Sequence, residues 1–224
     1  MLTLIKKITP GFLRNNYQII RCHLQQYFLR RKHSRNNNIG KNIIFHHDTV
    51  MEGKCKIADN VIFMKGVRLS KGVDIRQNVK IGRITIGENT IIDWGAFNNG
   101  FGSGKITIGK DCYVGMYNVL DFSDNITIGD YVHIGGPSTA IYTHSSANMC
   151  FHGIPLSELE ITNHRPTAPV KIENNVFIGG NCTIYPGVTI GHHSIIAPNS
   201  AVSKDVEPYT LVGGSPAKVI RKLS

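Results

Sequence analysis

The sequence has no apolar run approaching the roughly 18 residues of a membrane-spanning helix. Its opening, MLTLIKKITPGF, also lacks the apolar stretch and cleavage site of a secretory signal. Disulfide and zinc-knuckle patterns are missing too, because the cysteines are odd in number and form no C-x-x-C pair: Cys22, Cys55, Cys112, Cys150 and Cys182. These absences predict reduced thiols and a cytoplasmic location. One Trp, 8% aromatic residues and 23 glycines favour a turn-rich β architecture of small aliphatic residues over a charged helical bundle.

Acidic residues are absent from the first 41 positions, which contain nine basic residues. The formal net charge is +10, from 25 Lys and Arg against 15 Asp and Glu, so the rest of the chain carries 16 against 15. A nucleic-acid-binding domain should spread basic residues over a folded face. The main domain is therefore not predicted to bind DNA or RNA.

A period of six dominates the rest of the chain. An aliphatic residue recurs at positions 172, 178, 184, 190, 196 and 202, and earlier a hydrophobic residue recurs at 57, 63, 69, 75 and 81. Neither a helix nor a plain strand has this period, so the pattern predicts a repeat architecture.

The third residue after each repeat position is of a type that tolerates positive φ at low steric cost. This set is Asn60, Gly66, Gly72, Asn78, Asn89, Gly95, Asp111, Asn175, Asn181, Gly187, Asn199 and Asp205. Each hexapeptide is thus predicted to be a short strand followed by a sharp turn, with three hexapeptides closing one coil. The span 57–207 without the interruption 145–168 is long enough for about seven such coils.

This pattern resembles the hexapeptide-repeat acyltransferases, which fold as left-handed parallel β-helices. The resemblance covers residues 57–222 and implies an all-β fold in which the left hand comes from the family alone. We expect a helical extension and linker at 1–42, and a β-helix at 43–224 with an external loop at 145–168 and a cap at 208–224.

His144 is the predicted catalytic residue. The interruption begins directly after Ile141-Tyr142-Thr143-His144, and the family's O-acetyltransferases place an aliphatic-x-Thr-His segment, with the His as general base, before an extended loop. A neutral imidazole suits removal of a hydroxyl proton at neutral pH. Asp121, one coil below, resembles an Asp near the family's acceptor pocket, and a solvated turn acid is the alternative interpretation.

The donor site is predicted in the last coils, again from the resemblance. Gly180, in a segment that resembles the family's aliphatic-aromatic-Ile-Gly turn, would let the pantetheine arm of acetyl-CoA approach. Ser203 and Lys204 match a Ser/Thr-Lys-Asp near the adenine and phosphates. Lys218 and Arg221, in the Gly-Ser-Pro-Ala-Lys ending, would contact the coenzyme A phosphates, with a plain basic end cap as the alternative. No metal is expected.

The N-terminal segment carries an apolar helical stripe: Leu13, Tyr17, Ile20, Leu24, Tyr27 and Phe28. It predicts either a helix packed on the first coil, covering a sheet edge, or a basic amphipathic segment (1–35) that contacts anionic lipid. The second interpretation would place the protein at the inner face of the membrane.

The expected reaction is direct acetyl transfer from acetyl-CoA to a sugar hydroxyl, in surface polysaccharide or lipopolysaccharide biosynthesis, by a homotrimer. N-acetylation of an amino sugar is the main alternative, and acetylation of a xenobiotic is less favoured by the loop sequence. The acceptor-binding Asn–Asp pair of the small-sugar enzymes falls on Gly115 and Ser123, which disfavours a simple galactoside. A zinc site like that of the γ-type carbonic anhydrases would need a His-x4-His spacing, which this sequence lacks. A non-catalytic scaffold is the remaining alternative.

Overall fold

The structure is a computed structural model that describes residues 11–155, 157 and 165–224, with side chains of the first helix described from residue 23. Two helices are present in these residues, α1 (Gly11–Ser34) and α2 (Ala147–Phe151). The other elements are short β-strands, numbered along the chain, that form three sheets.

The strands build the three faces of a coil. Sheet A has ten strands: β1 (Asn38–Ile39), β3 (Lys56–Ile57), β6 (Asp74–Ile75), β9 (Ile91–Ile92), β12 (Tyr113–Val114), β15 (His133–Ile134), β18 (Phe177–Ile178), β21 (Ile195–Ile196), β23 (Thr210–Gly213) and β24 (Lys218–Lys222). Sheet B has seven: β4 (Ile62–Phe63), β7 (Lys80–Ile81), β10 (Phe97–Asn99), β13 (Val119–Asp121), β16 (Ala140–Ile141), β19 (Thr183–Ile184) and β22 (Ala201–Val202). Sheet C also has seven: β2 (Val50–Met51), β5 (Val67–Leu69), β8 (Ile84–Ile86), β11 (Ile106–Ile108), β14 (Ile126–Ile128), β17 (Val170–Ile172) and β20 (Thr189–Ile190).

The chain visits sheets C, A and B in turn, and all neighbouring strands are parallel except the antiparallel final pair β23–β24. The β-helix prediction is confirmed. Two sheets have the seven strands that the repeat count predicts, whereas sheet A has nine parallel strands and so about nine turns. The difference arises at the ends, because β1 and β23 lie outside the span 57–207 on which the count rests.

The repeat produces this coil because its inward positions stack in register. Ile57 pairs with Ile75, three hexapeptides along the chain, and Ile178 pairs with Ile196 in the same way. Parallel strands lie about 4.8 Å apart, so each inward aliphatic side chain rests on the one a turn below. These side chains are almost fully buried and form one continuous core.

The turns also follow the sequence. Eleven of the twelve predicted positions have positive φ, and Asp205 does not. Asparagine side chains stack between turns, since Asn42 donates to Asn60 at 3.0 Å and Asn60 to Asn78 at 3.2 Å. Other residues adopt positive φ without belonging to the predicted types, namely Arg83, Tyr117, Tyr131, Ser138, His193 and Tyr209.

The corner between sheets B and C departs from the repeat three times in succession. Ile84 pairs with Ile106, and Ile106 pairs with Ile126, and both steps are longer than three hexapeptides. Ile126 then pairs with Val170, across the longest insertion. Most of the extra residues follow strands of sheet B, at 100–105, 122–125 and 142–169, and a single further one lies between β15 and β16 at 135–139. The three insertions after sheet B lie above one another and give this corner side chains that the regular coil does not supply.

Helix α1 packs on the first turn through a face that combines polar side chains with Leu29, which contacts the hydrophobic core. The Gln26 amide donates to the Phe45 carbonyl at 2.9 Å and accepts from the Phe45 N–H at 2.8 Å. Arg30 donates to the Gly40 carbonyl, and the His33 ring stacks on Phe45. These bonds satisfy backbone groups that the first turn leaves without a strand partner.

The predicted apolar stripe does not make this contact where it is described: Leu24, Tyr27 and Phe28 are 53%, 58% and 63% exposed. The side chains of Leu13, Tyr17 and Ile20 lie outside the described residues. Within the part of the chain that the structure describes, no helix has the length and hydropathy needed to cross a membrane.

Candidate active site

His144 lies at the B–C corner, shortly after β16 ends. Its backbone pairs with Thr167 in an isolated antiparallel bridge, so the end of the long loop fixes the histidine's main chain. Phe101, from the lowest insertion of the same corner, places its ring edge-on to the imidazole with the centroids 4.9 Å apart.

Asp121 is the partner of His144. It ends β13, the strand next to β16 in sheet B, and its Oδ2 lies 2.6 Å from Nδ1 of His144. The side chain of Asp121 is 6% exposed and that of His144 is 22% exposed. Asp121 is therefore a buried residue of the strand end, and the interpretation as a solvated turn acid is wrong.

The other hydrogen bonds of Asp121 fix its carboxylate. Oδ1 accepts from the N–H and the hydroxyl of Ser123, at 3.0 and 2.6 Å. Oδ2 accepts from the N–H of Thr143 at 2.8 Å, and the Thr143 hydroxyl donates to the Asp121 carbonyl oxygen at 2.7 Å while lying 3.1 Å from Oδ2. Burial by itself raises the pKa of Asp121, but the hydrogen bonds from Ser123, Thr143 and His144 outweigh it and hold the pKa below its usual value. Asp121 is thus an ionised acceptor at neutral pH.

The hydrogen bonds on both sides of the ring set the histidine tautomer. An ionised carboxylate only accepts, so Nδ1 of His144 carries the proton and donates to Asp121. On the other side, Nη2 of Arg165 lies 3.0 Å from Nε2, and a guanidinium only donates. Nε2 therefore carries a lone pair that points away from Asp121. A histidine held in this way can remove a proton from a hydroxyl that reaches Nε2.

The structure places Gly180 at the turn between sheets A and B, away from the corner of His144. A Cβ on Gly180 would lie 2.5 Å from the carbonyl oxygen of Gly136, one turn below. Stacking of the turns thus requires glycine here, whatever its role toward a ligand.

The other predicted donor-site residues, one serine and three cations, lie on the last turns. Ser203 and Lys204 follow β22, two strands along sheet B from β16, so they share the corner of His144. Lys218 and Arg221 lie on β24, beside β23 in sheet A. Lys204, Lys218 and Arg221 are exposed, and no ion pair joins any of them to a carboxylate among the described residues. Exposed cations without partners suit phosphate binding.

Four residues of the site were not assigned a function from the sequence: Phe101, Ser123, Thr143 and Arg165. Thr143 lay inside the motif, and Ser123 was noted only as a departure from the family. The breaks in the repeat at 100–105 and 122–125 were a signal that could have pointed to this corner. Arg165 had no such signal, because a stretch of loop without a period separates it from His144.

Within the described residues, no three His, Cys, Asp or Glu side chains come together as a metal site. The described cysteines are free thiols, with Cys55, Cys112 and Cys182 buried in the coil.

Comparison with known proteins gives a family and several relatives. The model of the bacterial transferase hexapeptide (six repeats) family matches residues 169–204. The "Putative lipopolysaccharide biosynthesis O-acetyl transferase WbbJ" of Escherichia coli K12 is 30% identical over 156 residues, covering 63% of this chain and 72% of the relative. The galactoside O-acetyltransferase of Escherichia coli K12 is 34% identical over 141 residues, 62% of this chain and 64% of the relative.

A chloramphenicol acetyltransferase of Escherichia coli is 55% identical over 122 residues, 50% of this chain and 58% of the relative. The chain thus spans less than two thirds of the galactoside and chloramphenicol enzymes. Among solved structures, a mutant of AntD, an N-acyltransferase from Bacillus cereus in complex with dTDP-4-amino-4,6-dideoxyglucose and coenzyme A, is 26% identical with a TM-score of 0.55. That alignment covers 75% of this chain and 83% of AntD.

Proposed function

Because the chain belongs to the hexapeptide-repeat acyltransferase family, we propose that it is an acetyl-CoA-dependent O-acetyltransferase that modifies a saccharide hydroxyl. The observation that carries the proposal is the Asp121–His144 pair, in which Nδ1 is held at 2.6 Å and Nε2 keeps its lone pair. The WbbJ relative supports a role in surface polysaccharide or lipopolysaccharide biosynthesis. No residue needs to be acylated, so transfer is direct.

In the proposed reaction, Nε2 of His144 takes the proton of the acceptor hydroxyl as its oxygen attacks the thioester carbonyl. The tetrahedral intermediate then expels the coenzyme A thiolate, which recovers the proton from the imidazolium. Asp121 stabilises the transient imidazolium through Nδ1 and keeps the tautomer correct. The products are an acetyl ester and coenzyme A.

The test is coenzyme A release over a panel of nucleotide-linked sugars, lipid-linked sugars and chloramphenicol. We expect a saccharide to gain one acetyl group that mild alkali removes, as an ester requires. Preferred acetylation of chloramphenicol, whose Escherichia coli acetyltransferase is 55% identical to this chain over 122 residues, would contradict a saccharide acceptor.

N-acetylation of an amino sugar is the second candidate, favoured by the similarity to the AntD complex with an amino sugar nucleotide. The same Nε2 can take a proton from an attacking amine. An alkali-stable acetyl group on an amino sugar would support this candidate. A higher kcat/KM for the amino sugar than for any sugar without an amino group would favour N-acetylation over O-acetylation.

The proposed acetyl-CoA site consists of five residues and lies in the clefts between the subunits of a homotrimer. These residues are Gly180, Ser203, Lys204, Lys218 and Arg221. A ring of heterologous contacts about a threefold axis closes naturally. The outer face of sheet A offers a stacked column for such contacts: Tyr113 lies 4.6 Å from His133, and His133 lies 5.4 Å from Phe177, between ring centroids.

Lys218→Ala and Arg221→Ala should each raise the KM for acetyl-CoA by about tenfold with a smaller change in kcat. Phosphate contacts are remote from the bond change, so they stabilise ground state and transition state alike. Steady-state kinetics at varied acetyl-CoA measures both constants, with Lys56→Ala in β3 as the matched loss of an exposed charge. A fall in kcat with an unchanged KM would remove these residues from the donor site. Light scattering should give three times the 24.8 kDa chain mass for wild type and variants alike.

A contact between α1 and anionic lipid is also part of the proposal. Leu24, Tyr27 and Phe28 are exposed, and the basic residues of the first 41 positions have no acidic neighbours in sequence. The opposite face of the helix already caps the first turn, so the cap and the lipid contact use different residues.

The triple variant Leu24→Ser, Tyr27→Ser and Phe28→Ser should weaken binding to phosphatidylserine-containing vesicles at least tenfold and leave transfer activity unchanged. The three side chains contribute apolar area to the membrane but nothing to the fold where they are described. Vesicle co-sedimentation measures the loss, and Tyr131→Ser controls for removal of an exposed aromatic residue. Equal binding by triple variant and wild type would rule out this surface, whereas deletion of residues 1–35 would also remove the contacts of Gln26 and Arg30.

A further inference from the structure

The lone pair of His144 on Nε2 is already occupied in the protein as it stands. Nη2 of Arg165 lies 3.0 Å from Nε2, and Nε of Arg165 donates to the Ser146 hydroxyl at 2.9 Å. The guanidinium also lies over the Phe101 ring, with Cζ 3.7 Å from the centroid. Arg165 is thus held by three different groups, and one of them is the proposed base.

An acceptor hydroxyl must use the same lone pair. A guanidinium cannot accept a hydrogen bond, so Arg165 and the hydroxyl cannot both occupy Nε2 in the hydroxyl's reactive orientation. Acceptor binding therefore has to move the guanidinium off Nε2. A ligand can shift such an equilibrium only by as much as it binds the shifted arrangement more tightly. The acceptor must then offer Arg165 a better partner than a neutral imidazole nitrogen.

Among the described residues, no carboxylate at this corner forms an ion pair with Arg165. The carboxylate of Asp121 is occupied by Ser123, Thr143 and His144. A second cation lies at the same corner, because Arg83 donates to the Gly102 carbonyl and its guanidinium lies 5.5 Å from the Phe122 centroid. Two arginines, Arg165 and Arg83, thus lie at this corner, together with the carboxylates of Asp121 and Asp124.

We propose that Arg165 selects an acidic saccharide, one that carries a carboxylate or a phosphate next to the hydroxyl that is acetylated. The inference rests on the proposed function and adds the class of acceptor. A planar guanidinium pairs with either anion through two parallel hydrogen bonds, which are stronger than its bond to a neutral nitrogen. The anion pulls Arg165 off Nε2 while the ring of Phe101 still supports the guanidinium. A neutral sugar leaves Arg165 on the base and reacts slowly.

The test compares acceptors that differ only in charge. Methyl glucuronide is paired with methyl glucoside for the carboxylate, and glucose 6-phosphate with glucose for the phosphate. Wild-type kcat/KM should favour the acid of at least one pair by about 10- to 100-fold, the scale of a charge-assisted contact. Arg165→Gln should bring that ratio close to 1, because the acid loses its ion pair and the neutral sugar no longer competes with the guanidinium for Nε2, and Arg165→Lys should keep part of the preference. The pair that shows the preference identifies the anion.

Arg68→Gln, on the exposed outer face of β5, removes the same charge elsewhere and should leave the ratio unchanged. Equal use of acid and neutral sugar by the wild type would overturn the inference while leaving the transferase proposal intact. So would a ratio that survives Arg165→Gln or that falls as much in Arg68→Gln. If no saccharide of the four or of the wider panel accepts acetyl from acetyl-CoA, the proposed function fails and the inference fails with it.

Discussion

His144→Ala should lower kcat for acetyl transfer by about 10²–10⁴, the usual cost of losing a general base. The acceptor hydroxyl must lose its proton as the new C–O bond forms, and Nε2 of His144 carries the lone pair that takes it once the acceptor has displaced Arg165. The KM for acetyl-CoA should stay within a few fold, because the proposed phosphate contacts lie on the last turns. Steady-state kinetics with both substrates varied measures the two effects separately.

Two other histidines show whether the loss is specific to His144. His192→Ala and His193→Ala are the matched controls, since both residues lie at the corner between sheets C and A and should cost far less. A His144→Ala protein with near-normal kcat would show that the active site is misplaced. Circular dichroism and light scattering must show the variant folded and assembled as the wild type is.

Asp121→Asn should lower kcat by about 10²–10⁴ as well, although Asp121 does not contact the acceptor in the proposed mechanism. An amide has one accepting oxygen where the carboxylate has two, and its NH₂ can donate to Nδ1. Donation to Nδ1 would move the imidazole proton to Nε2, so that the nitrogen facing the acceptor loses its lone pair. The acetyl-CoA KM should again change little.

The pH dependence of unfolding distinguishes a merely structural role of Asp121 from a role in the reaction. The folded-state pKa of Asp121 is depressed, so its stabilising contribution is present above the unfolded-state value of about 3.9 and is lost as the pH falls through the lower folded-state value. The stability difference between wild type and Asp121→Asn should therefore be largest near neutral pH and shrink in acid. If Asp121→Asn keeps wild-type kcat, positioning by Asp121 is not part of the reaction. If its kcat loss follows the fraction unfolded, the role is structural.

The coil could be predicted from the sequence because its determinants are local and repeat. A buried aliphatic at every sixth position and a turn residue three positions later specify strand, turn and stacking together, as Ile178 and Asn181 illustrate. Turn positions occupied by Tyr117, Tyr131 and Tyr209 could not be read in this way, because their side chains do not favour positive φ. There the stacked neighbours impose the conformation.

The site was predictable only as far as the coil continues. Regular stacking relates Leu120 to Ile141, so it brings Asp121 close to the residues that follow Ile141. Phe101 and Arg165 reach His144 from insertions that have no period, and only the folded chain shows where they lie. The apolar stripe of α1 misled the packing prediction for a similar reason: the exposed first turn needs hydrogen-bond partners for its backbone, and Gln26 and Arg30 supply them.

The most direct measurement is the long-range ¹H–¹⁵N NMR spectrum of the ¹⁵N-histidine-labelled protein at pH 8, with the His144→Ala spectrum to identify the signals of His144. The site geometry predicts a protonated Nδ1 and an unprotonated Nε2 for His144. It also predicts that Asp121→Asn disturbs this pattern while His192→Ala leaves it intact. A wild-type spectrum with the proton on Nε2 and the lone pair on Nδ1 would contradict the proposed mechanism, because no base would then face the acceptor.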